Sequence, residues 1–272
     1  MAFSRSQRFA RQRVLPEVGQ AQDRIGAARV LVVGCGGLGA PVIQYLAAAG
    51  VGALTLVDDD VVEPSNLNRQ VLFGEADVGR RKADVAAAWV QSFDSAIHVD
   101  ALVQRVVGAT AKALIARHDV VVDCSDGMPT KFLLNDAAVL ADRPLVHGAA
   151  TAWAGQVLVV PGRRGPCLRC LFEDVPARDA VPTCRTAGIL GAVVGVVGAL
   201  MAAEVVKVLA GLADATSLER GHVLVGRFLA VDVLTSSVRP LSFPRRAACA
   251  ACGDAPSVDL MNASDYERDG SE

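Results

Sequence analysis

Residues 29–39 read RVLVVGCGGLG, a short apolar run followed at once by glycines in the spacing G-x-G-x-x-G. A brief stretch rich in β-branched residues predicts a buried strand. Gly34, Gly36, Gly37 and Gly39 then permit a tight turn with close backbone approach. Residues 38–49 carry a helical apolar pattern closed by Gly50-Val51-Gly52, and residues 53–58, ALTLVD, give the next strand. This order makes a βαβ unit whose helix N-terminus offers unpaired N–H groups to phosphate oxygens. Taken alone, the turn says only that a nucleotide binds.

Outward from this unit the alternation continues. Helices are predicted over residues 80–93, 110–117 and 130–141, the last entered through Pro129, and strands over 97–103, 120–124 and 145–149. Such alternation needs right-handed crossovers and a largely parallel sheet with helices on both faces. After Gly155 come strands with Gly/Pro turns, a polar segment at 173–185, a long apolar helix, and two or three strands within 222–241. The expected fold is therefore α/β: a Rossmann-like, doubly wound, mostly parallel sheet extended by antiparallel strands. Residues 1–253 are expected to form one domain, since 272 residues suit one large core. The polar, mainly acidic tail 254–272 is expected to be disordered.

A net charge of −2 and a pI near 6.1 disfavour nucleic acid or an anionic membrane as partner, so phosphate binding must be local. The N-terminus, MAFSRSQRFARQR, has no apolar run behind its basic residues and does not read as a secretory signal, which points to the cytoplasm. Residues 186–203, TAGILGAVVGVVGALMAA, are long enough to be weighed as a membrane span. Glu204 and Lys207 interrupt an apolar pattern that runs on through Val205, Val206, Val208 and Leu209, which favours a core or dimer-interface helix.

Asp58 ends the second strand, where a carboxylate can grip ribose hydroxyls. The glycine turn with Asp58 would also suit a nicotinamide-dependent dehydrogenase, but residues 58–70, DDDVVEPSNLNRQ, crowd acids, amides and an arginine at the ligand-binding end of the sheet. Arg69 and Lys82 suit phosphates, and Asp126, just past the strand ending at Cys124, suits Mg²⁺, a hard cation that takes oxygen ligands. The acidic run 58–60 would also suit a solvated turn; strand alternation puts Asp58 and Asp60 on the same side, and only Asp58 is retained as a site residue.

Seven cysteines in a cytosolic chain do not suggest a disulfide framework. Cys167-x-x-Cys170 and Cys249-x-x-Cys252 are too far apart for a compact finger but fit one Cys₄ zinc site joining two segments, a reading favoured over free thiols or redox disulfides. Four thiolates leave no open coordination position, so such a site is structural. Cys35 and Cys124 read as small buried hydrophobes. Cys184 lies in a polar segment beside Arg185, which favours a thiolate; the choice is between a nucleophile and an incidental loop cysteine. His98, His118, His147 and His222 are far apart in sequence and read as structural or surface residues.

Taken in order, Arg8-Phe-Ala-Arg11-Gln12, the glycine turn, Ser65-Asn66-Leu-x-Arg69-Gln70, Lys82, Cys124-Ser-Asp126 and the two Cys pairs resemble the ThiF/MoeB/HesA family of ubiquitin-activating-like enzymes over nearly the whole chain. The resemblance implies that the glycines and Asp58 hold ATP, that Asn66, Arg69 and Lys82 line its phosphates, and that Asp126 binds magnesium. It further implies that Arg11 reaches the partner's ATP site in a homodimer, and it supports zinc at the four cysteines. The implied activity is adenylation of the C-terminal glycine carboxylate of a small ubiquitin-like sulfur carrier ending in Gly-Gly. The Cys184-Arg-Thr-Ala-Gly run resembles thiamine-type members, where the cysteine handles the carrier covalently during sulfur transfer; Leu171-Phe-Glu-Asp174 also resembles molybdopterin-type members. No rhodanese domain fits after the second Cys pair, so a separate sulfur donor, a desulfurase or rhodanese, is expected. Phe9, Gly127 and Lys131 depart from the family's usual tyrosine, asparagine and arginine. Two other readings are an NAD-dependent oxidoreductase and a non-catalytic carrier-binding member of the same fold.

Overall fold

The computed structural model describes residues 5–176, 184–212, 222–262 and Tyr266. Three short helices, α1 (Arg5–Arg8), α2 (Pro16–Gly19) and α3 (Gln22–Ala27), lead into β1 (Arg29–Val33), which is followed by α4 (Gly39–Ala49) and β2 (Ala53–Val57). The alternation continues through α5 (Lys82–Phe93), β3 (His98–Leu102), α6 (Gly108–Ala116), β4 (Val120–Asp123), α7 (Met128–Ala141) and β5 (Leu145–Thr151). Then follow β6 (Ala154–Val160), α8 (Leu168–Leu171), α9 (Cys184–Ala187), α10 (Gly191–Leu209), β7 (Arg227–Asp232) and β8 (Ser237–Ser242).

One eight-stranded sheet runs in the order β3-β2-β1-β4-β5-β6-β7-β8. Its first five strands are parallel and the pairings from β5 through β8 are antiparallel, as the sequence predicts. Period-two alternation divides β1 between the two faces: Val30 and Val32 join the cluster under α3, α4, α5 and α10, whereas Leu31 and Val33 join the one under α6, α7 and α8. β1 and β4 are neighbours although β2 and β3 intervene in sequence, so the order reverses there. In such sheets the crevice at the carboxyl ends of the two strands is where ligands bind.

Gly50 ends α4 at φ +83°, and a Cβ there would lie 2.3 Å from the Phe9 ring. The N-terminal segment is thus seated under the amino ends of the strands. α10 is long and apolar enough to cross a membrane, yet half of its most apolar window is buried against the protein. Val193, Val197, Met201 and Val205 face the core, and Gly198 lets α10 approach Pro41 of α4. Ala192, Val196 and Ala203 remain exposed on the opposite side.

Two expectations need correcting. Helix α7 starts at Met128, so Pro129 lies inside its first turn. The tail is not disordered from residue 254: Ser257 N donates to Ala250 O (2.8 Å), Leu260 is buried, and the Tyr266 hydroxyl donates to Asp136 Oδ2 (2.5 Å). Polar composition concealed Val258, Leu260 and Tyr266, which pack on the second cluster. Residues 263–265 and 267–272 of that tail, and 177–183 of the polar segment, lie outside the described residues.

Candidate active site

The four glycines of the turn do different work. Gly34 has φ +94°, and a Cβ there would lie 2.5 Å from Cys124 O. A Cβ at Gly39 would lie 2.0 Å from Gly34 O, and one at Gly37 3.3 Å from Val194. These three glycines close the turn onto β4 and α10. Gly36 is the one beside the crevice: the near neighbour of its absent Cβ is the Gln70 side chain, at 3.4 Å. Gln70 is buried with its Nε2 toward the turn, and its Oε1 has no hydrogen-bond partner among the described residues. Sequence reading quoted Gln70 without singling it out; an amide facing a phosphate-type turn was the available signal.

Asp58 does more than stand ready for a ribose. Its Oδ2 accepts Cys35 N (2.7 Å) and its Oδ1 accepts Asp60 N (2.9 Å), so it ties the glycine turn to the loop after β2. Burial raises its pKa. Lys82, at the start of α5, is buried and pairs with the carboxylate of Asp60, which ties the acidic run after β2 to α5. Asn66 is buried and shapes the loop: its Oδ1 accepts Glu63 N (3.2 Å), while its carbonyl accepts Arg69 N and Gln70 N (3.0 and 2.9 Å). Arg69 donates to Ser65 O (2.7 Å) and Asn68 Oδ1 (3.1 Å). Among the described residues it pairs with no carboxylate, so its positive charge is available to an anion.

Asp126 is exposed beyond β4 and has no hydrogen bond or ion pair among the described residues. A free carboxylate at the carboxyl end of the sheet, near the glycine turn that Cys124 supports, fits an oxygen-ligated cation beside a phosphate. Beneath it lies a cluster that sequence reading missed. Asp123 is fully buried, accepts Nδ1–H of His147 (2.7 Å) and Oγ–H of Ser125 (2.6 Å), and faces Lys131 Nζ (3.5 Å). Burial opposes ionisation of Asp123, but Lys131 and the hydrogen bonds more than offset it and hold its pKa at about 2. Burial pushes the His147 pKa down. A carboxylate held below its ordinary 3.8 contributes stability that is present above that value and lost as pH falls toward 2. Urea unfolding between pH 5 and 2 should therefore lose about 2 kcal/mol more in the wild type than in Asp123→Asn.

Arg11 is exposed and has no polar partner among the described residues. Gln12 donates to Ala49 O (3.0 Å) and Phe9 packs on Gly50, which holds this segment at the amino ends of the strands. Within one chain, Arg11 is not brought to Asp58, Lys82 and Asp126.

Cys167, Cys170, Cys249 and Cys252 are all buried, with their sulfurs within 4.8 Å of one another. The Cys167–Cys249 and Cys170–Cys252 separations are 3.6 and 3.4 Å, close to the tetrahedral edge of about 3.8 Å that Zn–S bonds require. The hydrogen bond from Cys167 lowers the pKa of the Cys249 thiol. Helix α7 holds the first cysteine pair: Asn135 Oδ1 accepts Leu168 N (2.8 Å), and Asp136 binds Arg169 Nε through both oxygens (2.9 Å each). The residues present fit a structural zinc ion. Cys35 and Cys124 are buried as expected. Cys184 opens α9; its side chain lies outside the described residues.

Comparison with known proteins agrees with this geometry. The chain is 50% identical over 270 residues to the adenylyltransferase and sulfurtransferase MOCS3 of Bos taurus, covering 98% of this chain and 57% of that protein. It thus spans little more than half the length of that relative. It is 46% identical to the sulfur carrier protein adenylyltransferase of Thermus thermophilus, over 96% of this chain and 94% of the relative. It is 43% identical to the SAMP-activating enzyme E1 of Haloferax volcanii, over 95% and 93%. Among solved structures, Escherichia coli MccB with ATP shares the fold at TM-score 0.72 and 24% identity, over 86% of this chain and 69% of that one. The ThiF family model matches residues 9–251, from the segment under the strands to the second cysteine pair, and with these identities the chain belongs to the ThiF family.

Proposed function

We propose that the chain is an ATP-dependent adenylyltransferase acting on the C-terminal glycine carboxylate of a small ubiquitin-like sulfur carrier that ends in Gly-Gly. The observation that carries this reading is the charge arrangement at the switch point: buried Lys82 and unneutralised Arg69 on one side of the glycine turn, and free Asp126 on the other. An adenylation site needs cations for phosphate and a carboxylate for Mg²⁺; a hydride-transfer site needs neither at that place. A carboxylate oxygen of the carrier attacks the α-phosphorus of ATP, the bond to the bridging oxygen breaks, and pyrophosphate leaves. The carboxylate is already a nucleophile, so no general base is required. Arg69 and Lys82 stabilise developing phosphate charge, Asp58 would hold the ribose, and Asp126 would hold Mg²⁺, which neutralises phosphate charge when bound.

In this reading residues 1–253 act as one adenylation domain, zinc at the four cysteines is structural, and the protein works in the cytoplasm as a homodimer. Two features support the dimer: Arg11 is far from its own site, and α10 presents small and apolar residues outward. Sulfur comes from a separate desulfurase or rhodanese, for thiamine or molybdopterin synthesis, and Cys184 takes part in that transfer.

The deciding experiment is ATP–pyrophosphate exchange with purified carriers. Exchange stimulated by a Gly-Gly carrier is expected, together with a rise in Tm with Mg-ATP and none with NAD. A melting rise with NAD and no exchange would favour the oxidoreductase; carrier binding without exchange would favour the non-catalytic member. Cys184→Ala should retain carrier-dependent exchange while sulfur incorporation falls. Loss of exchange in the folded variant would remove the separation of the two roles.

A further inference from the structure

The carboxylate of Asp123 is fully buried at the end of β4, three residues before Asp126. Every side of it is occupied. Oδ1 accepts both the backbone N–H (3.0 Å) and the hydroxyl (2.6 Å) of Ser125, while Oδ2 accepts His147 Nδ1–H (2.7 Å) and faces Lys131 Nζ (3.5 Å). Lys131 also donates to Gly148 O (2.8 Å), which anchors the ammonium from the β5 side. The sheet does not need this arrangement. β4 is already joined to β1 and β5 through the backbone at Asp123, and replacing buried ionic groups with well-packed apolar ones is often neutral or stabilising.

What charge provides at this place, and an apolar residue cannot, is a hold on the loop that follows. The two bonds to Ser125 close an Asx-type turn, which fixes the backbone immediately upstream of Asp126. Downstream the hold is slight. Gly127 is the N-cap of α7, at φ −89° and ψ 130°, and supplies no capping side chain; Lys131 N donates to its carbonyl (3.1 Å). Glycine gives that flank extra conformational freedom. The direction of the exposed Asp126 carboxylate is therefore set mainly from the Ser125 side.

The geometry points to Asp123 as a positioning residue for Asp126: acting through Ser125, it fixes loop 124–127 so that the Asp126 carboxylate meets a divalent cation already oriented, while Lys131 and His147 hold Asp123 in place. The inference rests on the reading of Asp126 as the magnesium carboxylate, and it gives this chain's Gly127 a structural counterpart.

The test is a Mg²⁺ titration of the ATP-induced rise in Tm, a readout independent of turnover. Ser125→Ala removes a half-buried hydroxyl and leaves the backbone bond to Asp123, so the unliganded variant folds and melts close to wild type. Its half-saturating Mg²⁺ concentration is expected to rise about tenfold, the scale of effect seen when the support of a metal ligand is removed. Ser125→Thr, which keeps the hydroxyl, restores the wild-type titration. Adding Gly127→Asn to Ser125→Ala recovers part of the loss by capping α7 from the other flank, and no recovery would overturn the part assigned to Gly127. Asp126→Ala separates the two levels of the argument. If it abolishes the Mg²⁺ dependence while Ser125→Ala titrates like wild type, the positioning role is overturned and the metal carboxylate stands. If Asp126→Ala itself titrates like wild type, both fall.

Discussion

Lys82→Ala is expected to lower kcat for carrier-dependent ATP–pyrophosphate exchange by about 10²- to 10³-fold, the loss typical when one preorganised donor to a developing anion is removed. The size follows from where Lys82 sits. Its side chain is only 6% exposed, so its charge acts on phosphate through little intervening water, whereas its partner Asp60 is 58% exposed. For the same reason the fold should tolerate the change: Asp60 rehydrates when the ammonium is lost, and an ion pair with one exposed member contributes at most about 1 kcal/mol. Steady-state exchange with matched melting curves is the check. Exchange within threefold of wild type would remove Lys82 from the phosphate site.

The second large effect concerns the cysteine cluster. Cys252→Ser, or extraction of metal by a strong chelator, should lower Tm by at least about 10 °C, because structural zinc binding is folding free energy and each kcal/mol shifts a domain of this size by roughly 2–4 °C. The cysteines share their apolar cluster with Leu168, Phe243, Ala251, Leu260 and α7, so loss of the metal loosens the packing on that face of the sheet. Metal analysis of the purified protein alongside calorimetry checks both halves of the claim. A metal-free protein with an unchanged melting curve would contradict it.

The parallel half of the fold was legible because each strand and helix announces itself locally. The strand at 29–33, the turn and the helix to Ala49 are all set by residues adjacent in sequence. The cysteine pairs were legible for another reason: thiol chemistry survives a separation of 82 residues because few other arrangements satisfy four buried sulfurs. The roles inside the site were less visible. Spacing identified Gly34, Gly37 and Gly39 but could not tell that they serve packing, which depends on where Cys124 and Val194 fall. The Asp60–Lys82 pair was not visible because its members lie across a loop. The Asp123 cluster was missed since it requires the β4–β5 register that sets Asp123 against His147, and no local pattern encodes a register between parallel strands. The tail misled in the opposite direction: average composition outweighed three apolar side chains that decide where it goes.

Asp136 on α7 binds Arg169 from the first cysteine knuckle and Tyr266, 130 residues further along the chain. On the ribosome, the parallel half through β5 emerges before the second knuckle is made, and one partner of Asp136 follows it by 130 residues. A chain interrupted after the first cysteine pair would lack both α10 and the second knuckle and so leave apolar surface uncovered on both faces of the sheet, the kind of intermediate that aggregates or recruits chaperones. The second knuckle, and not merely the nucleotide-binding half, is what closes the apolar cluster on that face.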